Sequence, residues 1–177
     1  MKNHANTLEK LINERSIKKM AEVGVYEGML SKHLCSHCPS IEEYYAIDQW
    51  HVVSGPDFGK YNTFTQDFWD EVYMRACRRM MVYKPMKLIR LPGIKASKLF
   101  DHGYFDFVYI DSTHHYQETL DEIKVWLPMV HQGGIIGGHD YRATRPEHQG
   151  VKKAVDEIFK KEDIKEGRDM VWYVEIL

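Results

Sequence analysis

The sequence predicts an α/β protein, a doubly wound and mostly parallel sheet with helices on both faces. Two observations carry that prediction. Strand-like and helix-like segments alternate along the 177 residues, the pattern of strands joined by crossover helices. Four apolar runs also stop abruptly, at Gly24, Asp48, Asp111 and Asp140. That arrangement gathers function-capable groups at the carboxyl edge of a parallel sheet, where α/β proteins bind ligands.

The elements follow in order. Asn6 or Thr7 is placed to cap a first helix through about Ser16, with Leu8, Leu11 and Ile12 as its apolar stripe. Ile17 to Val25 reads as a first strand ending at Gly24, Met29, Leu30 and Leu34 mark a helix, and Tyr44 to Asp48 forms a second strand. Gly55, Pro56 and Gly59 punctuate a long loop from Trp50 to Phe64, of the kind that serves as a lid. Thr65 caps a helix over Gln66 to Met81, with acids early and arginines late as the helix dipole favours. Met86 to Leu91 and Phe105 to Asp111 are the third and fourth strands, and a helix from Tyr116 carries Leu120, Ile123, Trp126 and Leu127. Ile135 to Asp140 is strand five, Gly150 to Lys161 the last helix, and Met170 to Leu177 an antiparallel edge strand.

Composition narrows the class. The length suits one domain over residues 1–177. A formal net charge of −2 gives no basic excess for nucleic acid and no reason to expect a membrane partner. The first ten residues lack the apolar core of a signal peptide, and no stretch is long enough to span a bilayer. Three cysteines, an odd count, argue against a secreted disulfide scaffold, so the expected location is the cytoplasm.

Chemistry concentrates in Tyr109-Ile110-Asp111-Ser112-Thr113-His114-His115-Tyr116. A carboxylate and an imidazole at a strand end can bind a metal or move a proton. After the first strand, Glu22-x-Gly24-x-x-x-Gly28 lets backbone approach a ligand. The dinucleotide fingerprint needs glycines where Tyr26 and Met29 stand. Asp48 lies where an acid accepts hydrogen bonds from ribose hydroxyls. That logic serves nicotinamide and adenosylmethionine proteins alike, and a loop cap would also explain an acid there.

The Glu22-x-Gly24-x-x-x-Gly28 turn resembles the first motif of class I S-adenosylmethionine-dependent methyltransferases, with Tyr26 at the place of the middle glycine. Phe105 to Asp111 with His114 and Tyr116, Gly133-Gly134, Gly138-His139-Asp140-Tyr141 and Gly150 to Asp156 resemble methyltransferase family 24. Several of its members are similar to metal-dependent sugar and small-molecule O-methyltransferases. The resemblance implies a Rossmann-like fold, S-adenosylmethionine as cofactor, and a divalent cation on Asp111 and Asp140 with His139 beside them. Magnesium is the family's expectation; His139 suits manganese or another transition metal better. It further implies Glu22, Gly24, Tyr26 and Gly28 around the methionine part, Asp48 on the ribose, Ser97 on the adenine side and Asp111 next to the cofactor. The reaction expected is transfer of a sulfonium methyl to a hydroxyl acidified by the cation. His114 is the base candidate, with a backbone-bonded structural histidine as its alternative; His115 reads as structural.

Cys35-Ser36-His37-Cys38, with His33 nearby, has metal-like spacing but lacks a second pair, so it is expected to be helix packing. Arg75 to Arg79 reads as a solvated helix end and Trp172-Tyr173 as strand packing. The acceptor is expected to lie over Asp111 and Asp140 beneath the loops Pro56 to Tyr61 and Arg142 to Gln149, with a homo-oligomer partner available to complete the pocket. Two rival readings are a nicotinamide-dependent oxidoreductase and a non-catalytic nucleoside-binding module.

Overall fold

The structure, a computed structural model, describes residues 2–53, 63–144 and 149–177. The expected lid over Pro56 to Tyr61 and the middle of the Arg142 to Gln149 loop lie outside them. Seven strands form one sheet in the order β3-β2-β1-β4-β5-β7-β6. They are β1 (Lys19–Val23), β2 (Glu43–Asp48), β3 (Met86–Arg90), β4 (Phe105–Ile110), β5 (Val130–Gly138), β6 (Lys165–Glu166) and β7 (Trp172–Glu175). The pairs β1–β2, β2–β3, β1–β4 and β4–β5 are parallel; β5–β7 and β6–β7 are antiparallel. The chain therefore builds outward from β1 to β3, then returns to lay β4 on the other side of β1. The crevice at that reversal is the ligand position of a doubly wound sheet.

Two apolar clusters fill the two faces. On one, Leu8, Leu11 and Ile12 from α1 (Lys2–Arg15), Leu34 from α2 (Met29–His37), and Trp69, Val72, Ala76 and Met80 from α3 (Gln66–Met80) meet Met20, Tyr44, Phe107 and Tyr109 of the sheet. On the other, Ala96 from α4 (Gly93–Ala96), Leu120, Ile123 and Trp126 from α5 (Tyr116–Trp126), and Val151, Ala154 and Val155 from α6 (Gln149–Ile158) meet Val23, Val108, Ile110 and Trp172. Strand alternation sorts side chains between the faces: Met20 goes one way, Ala21 and Val23 the other. Phe105 departs from that alternation because the β4–β5 register shifts between Phe105 and Phe107. Each fully buried large side chain contributes about 1.5–3 kcal/mol by area.

Several elements differ from expectation: β1 starts at Lys19, β5 begins at Val130, five residues before the expected Ile135, and takes Gly133-Gly134 into the strand, and α6 ends at Ile158. α1 begins at Lys2, so Asn6 and Thr7 lie inside the helix. Ala5 is buried with Leu8 and Ile12, which extends the apolar stripe one turn toward the N-terminus and carries the helix with it. The Met170 to Leu177 strand is antiparallel but not an edge, because β7 is flanked by β5 and the two-residue β6. Trp172 pairs with Gly138 and Tyr173 with Gly137. A Cβ on Gly138 would lie 2.8 Å from Trp172 Nε1, so the paired glycines are what admit this bulky strand.

Capping at α3 follows the sequence. Thr65 is extended, and its hydroxyl accepts a hydrogen bond from the Phe68 amide at 3.3 Å. Replacing Thr65 with Ala is expected to lower stability by about 1 kcal/mol. Urea unfolding should show this as a lower midpoint with an unchanged slope.

Candidate functional site

The turn after β1 closes over the crevice between β1 and β4. Gly24, at φ +95°, donates its amide to Ile47 at 2.8 Å. A Cβ there would strike the Asp111 carbonyl, so this glycine permits the main chains after β1 and β4 to touch. Tyr26 keeps a left-handed backbone at φ +52° despite its side chain, a conformation uncommon outside glycine. Its ring is half-exposed and meets Trp69 edge-on, with centroids 6.2 Å apart. Gly28, at φ +72°, precedes α2, and a Cβ on it would lie 2.7 Å from Met80 Sδ.

Acids brace this turn from three sides. Asp48 accepts from the amides of Val25 (3.0 Å), Tyr26 (2.9 Å) and Trp50 (2.9 Å). Burial nevertheless raises its pKa, outweighing those amides. Glu22 is buried and accepts from the hydroxyls of Ser31 and, at 2.5 Å, Tyr44. Burial pushes its carboxyl up to about 8. Glu27 pairs with Arg75 at 3.1 Å and Arg79 at 3.6 Å. This corrects the reading of the arginine run as merely solvated: besides the contact of Arg75 with Glu71 one turn earlier at 3.9 Å, it clamps the glycine turn from α3.

The loop after β3 closes the far side. Ser97 is buried, with its hydroxyl donated to the Ile94 carbonyl at 2.9 Å, so its side chain helps to shape the turn. Glu122, on the buried face of α5, accepts from Ser112, and burial raises its pKa to about 7. Sequence reading missed it, although an acid between Leu120 and Ile123 on an apolar stripe was a visible anomaly. Ser31, Tyr44 and Trp50 were missed as well. Trp50 is buried and donates Nε1 to the Tyr26 carbonyl at 2.8 Å, and nothing local in the sequence announces that partnership.

At the ends of β4 and β5, Asp111, His139 and Asp140 converge. One ligand atom from each lies within 4.8 Å of the others. His139 Nδ1 is 3.4 Å from Asp140 Oδ1 and 3.9 Å from Asp111 Oδ1. His114 Nε2 is 2.6 Å from Asp140 Oδ2. Asp140 is buried and left-handed at φ +61°, backbone strain of the kind stored at functional sites. Burial would raise its pKa, but the bonds and charges of His114 and His139 hold it far below the usual carboxylate range. Asp111 goes the other way, to about 6, because burial and the Asp140 charge outweigh the two histidines. Burial lowers the His139 pKa, but its bond to Asp140 and the charge of Asp111 raise it on balance. Two carboxylates and one imidazole could hold a divalent cation, and a nitrogen donor favours a transition metal over magnesium. His115 sits at the N-cap of α5 with its amide donated to Thr113 Oγ1 at 3.2 Å. His4 of α1, not singled out in the sequence, places its ring 5.0 Å from that of His139.

Comparison with known proteins agrees with this architecture. A sequence profile described as a methyltransferase domain matches residues 21–141. No curated protein sequence matches the chain. Among solved structures, a Podospora anserina methyltransferase bound to S-adenosylhomocysteine aligns over 98% of this chain and 78% of its own, at 14% identity and TM-score 0.70. The Streptomyces achromogenes O-methyltransferase TomG, of tomaymycin synthesis and in complex with S-adenosylmethionine, aligns over 98% and 80%, at 12% identity and TM-score 0.65. A Bacillus cereus O-methyltransferase in complex with S-adenosylhomocysteine aligns over 97% and 80%, at 14% identity and TM-score 0.62. Among the described residues, no helix is long and apolar enough to cross a membrane. The match spans β1 through the acid after β5, more than half of the chain, and it sets aside the nicotinamide reading: the chain belongs to methyltransferase family 24, with the class I Rossmann-like fold.

Proposed function

We propose that this protein is an S-adenosylmethionine-dependent O-methyltransferase that methylates a hydroxyl of a sugar or other small molecule with the help of a divalent cation. One observation supports the reading most. The Asp111 main chain abuts Gly24 in the glycine turn, while the Asp111 side chain belongs to the cluster with His139 and Asp140. One residue thus joins the cofactor turn to the acceptor-side acids, and such adjacency is what in-line transfer requires.

When bound, S-adenosylmethionine supplies an electrophilic methyl and the cation acidifies a coordinated hydroxyl. The chain's own residues do the rest. Gly24 and Gly28 shape the methionine pocket, with Glu22 bracing it from below. Asp48, half-buried and already holding the turn amides, would share its carboxylate with the ribose. Ser97 contributes through the turn it fixes on the adenine side. Asp111, His139 and Asp140 are the cation ligands, manganese or another transition metal fitting the donor set better than magnesium. His114 is the base: Asp140 engages Nε2, which selects the tautomer with its lone pair on Nδ1. The three cysteines are free, in keeping with a cytoplasmic protein. We place the whole function in one domain that a second copy could complete.

Calorimetry with S-adenosylmethionine and S-adenosylhomocysteine, each with and without manganese or magnesium, tests the proposal. Both ligands should bind in the micromolar range typical of enzyme ligands (about 1 μM to 1 mM). No heat of binding under any of these conditions would sink it.

A further inference from the structure

Away from the crevice, a second group of metal-competent side chains spans α1 and α2. We propose that Glu9, His33 and His37 form a divalent transition-metal site, with zinc as its natural probe, that fastens α1 to α2. His33 and His37 stand one turn apart on α2, and their rings stack with centroids 4.3 Å apart and an interplanar angle of 19°. Glu9 reaches across from α1 to put Oε2 2.7 Å from His33 Nε2. One ligand atom from each of the three lies within 4.8 Å of the others.

The surroundings suit metal ligation in a way that chance proximity would not require. His37 Nδ1 lies 2.8 Å from the His33 carbonyl. Donating that proton to the carbonyl leaves the lone pair on Nε2, the outer bond by which metal-bound histidines are usually oriented. Asn13 of α1 donates to the His37 carbonyl at 3.2 Å, so the helix end carrying the ligand is itself tied to α1. The neighbouring thiols are not the donors. The ligand atoms that converge are those of Glu9, His33 and His37, with no thiol among them, and Cys38 Sγ points to the Glu9 carbonyl at 4.0 Å. Two imidazoles and a carboxylate make a familiar zinc set with room for water in the fourth position. His37 is exposed and Glu9 and His33 are half-buried, so a cation has a path in. The inference is independent of the methyltransferase reading, since none of the three residues belongs to the crevice.

Zinc titration of the full chain against a chromophoric chelator tests it. His37→Ala should lower the zinc stoichiometry by one equivalent, or weaken that equivalent at least about tenfold, with affinity for S-adenosylhomocysteine unchanged. Glu9→Gln, which keeps the side-chain volume, should weaken the same equivalent. Asp140→Asn should leave it intact. Zinc should also raise the melting temperature of the Asp140→Asn protein but not of Asp140→Asn combined with His37→Ala. An unchanged zinc stoichiometry and affinity in both His37→Ala and Glu9→Gln overturns the proposal, as does a wild-type chain that takes up no zinc.

Discussion

Replacing Asp140 with Asn is expected to lower methyl transfer by about a thousandfold, or ~4 kcal/mol of transition-state stabilisation, while affinity for S-adenosylhomocysteine stays within several-fold. Asp140 is the acid on which the crevice depends. It takes His114 on one oxygen and His139 on the other. Its charge also helps to hold Asp111 up at about 6. Asn is the informative replacement, because it has the same shape and is enriched among residues with positive φ, so the backbone at φ +61° is retained. What is lost is the negative charge that pairs with two imidazoles and would complete the proposed cation site. Cofactor contacts should survive, since the glycine turn is braced by Glu22, Asp48 and Glu27 and not by Asp140. Steady-state kinetics beside calorimetry separates these effects. Turnover within tenfold of wild type would remove Asp140 from the chemistry. Joint loss of turnover and cofactor binding would mean that the two subsites are not divided between Asp140 and the turn.

Much of this crevice is legible in the sequence because its main groups sit at strand ends, where an apolar run is broken by an acid. Asp48, Asp111 and Asp140 each announce themselves in that way, and the parallel sheet brings them to one edge. Tyr26 shows where motif reading loses information. A fingerprint counts glycines as letters, whereas the fold needs a left-handed residue, and Tyr26 supplies it at φ +52° with its turn held by Asp48 and Trp50. The strain is offset by partners distant in sequence, which no local pattern reports.

The illegible parts share that cause. Arg75 and Arg79 read as a solvated helix end because their partner, Glu27, lies some fifty residues earlier. The true sheet edge, Lys165–Glu166, is two exposed residues long and has no hydrophobic period to detect. The hydroxyl of Ser97 turned inward because its own short turn offered the Ile94 carbonyl, a contact settled by backbone geometry and not by residue type. Glu122 is the exception, since a charge on a stripe that must be buried is visible in one dimension and marks a site where the fold accepts a cost.

Glu22 accepts such a cost most fully, and its consequence is a pH dependence of stability. Burial raises its pKa to about 8, with the charges of Asp111 and Asp48 adding to the effect and the Ser31 and Tyr44 bonds opposing it. An unfolded chain releases that proton near 4.3–4.5. Below that range both states hold the proton, and Glu22 makes no difference to the slope. Between it and about pH 8 the folded protein keeps a proton that the unfolded chain has lost, so stability falls as pH rises. Across the window the loss from this group is on the order of a few kcal/mol. Glu122 and Asp111, raised to about 7 and about 6, act with the same sign and steepen the wild-type decline. Gln at position 22 is neutral throughout and keeps a carbonyl oxygen to accept from Ser31 and Tyr44. Guanidinium unfolding at pH 5 and pH 8.5 should therefore show a much smaller difference for Glu22→Gln than for wild type, with part of the decline left by Glu122 and Asp111. Equal declines in the two proteins would place the Glu22 proton elsewhere. Ala would not serve the same purpose, because it opens a cavity and strands two buried hydroxyls, costs that apply at every pH.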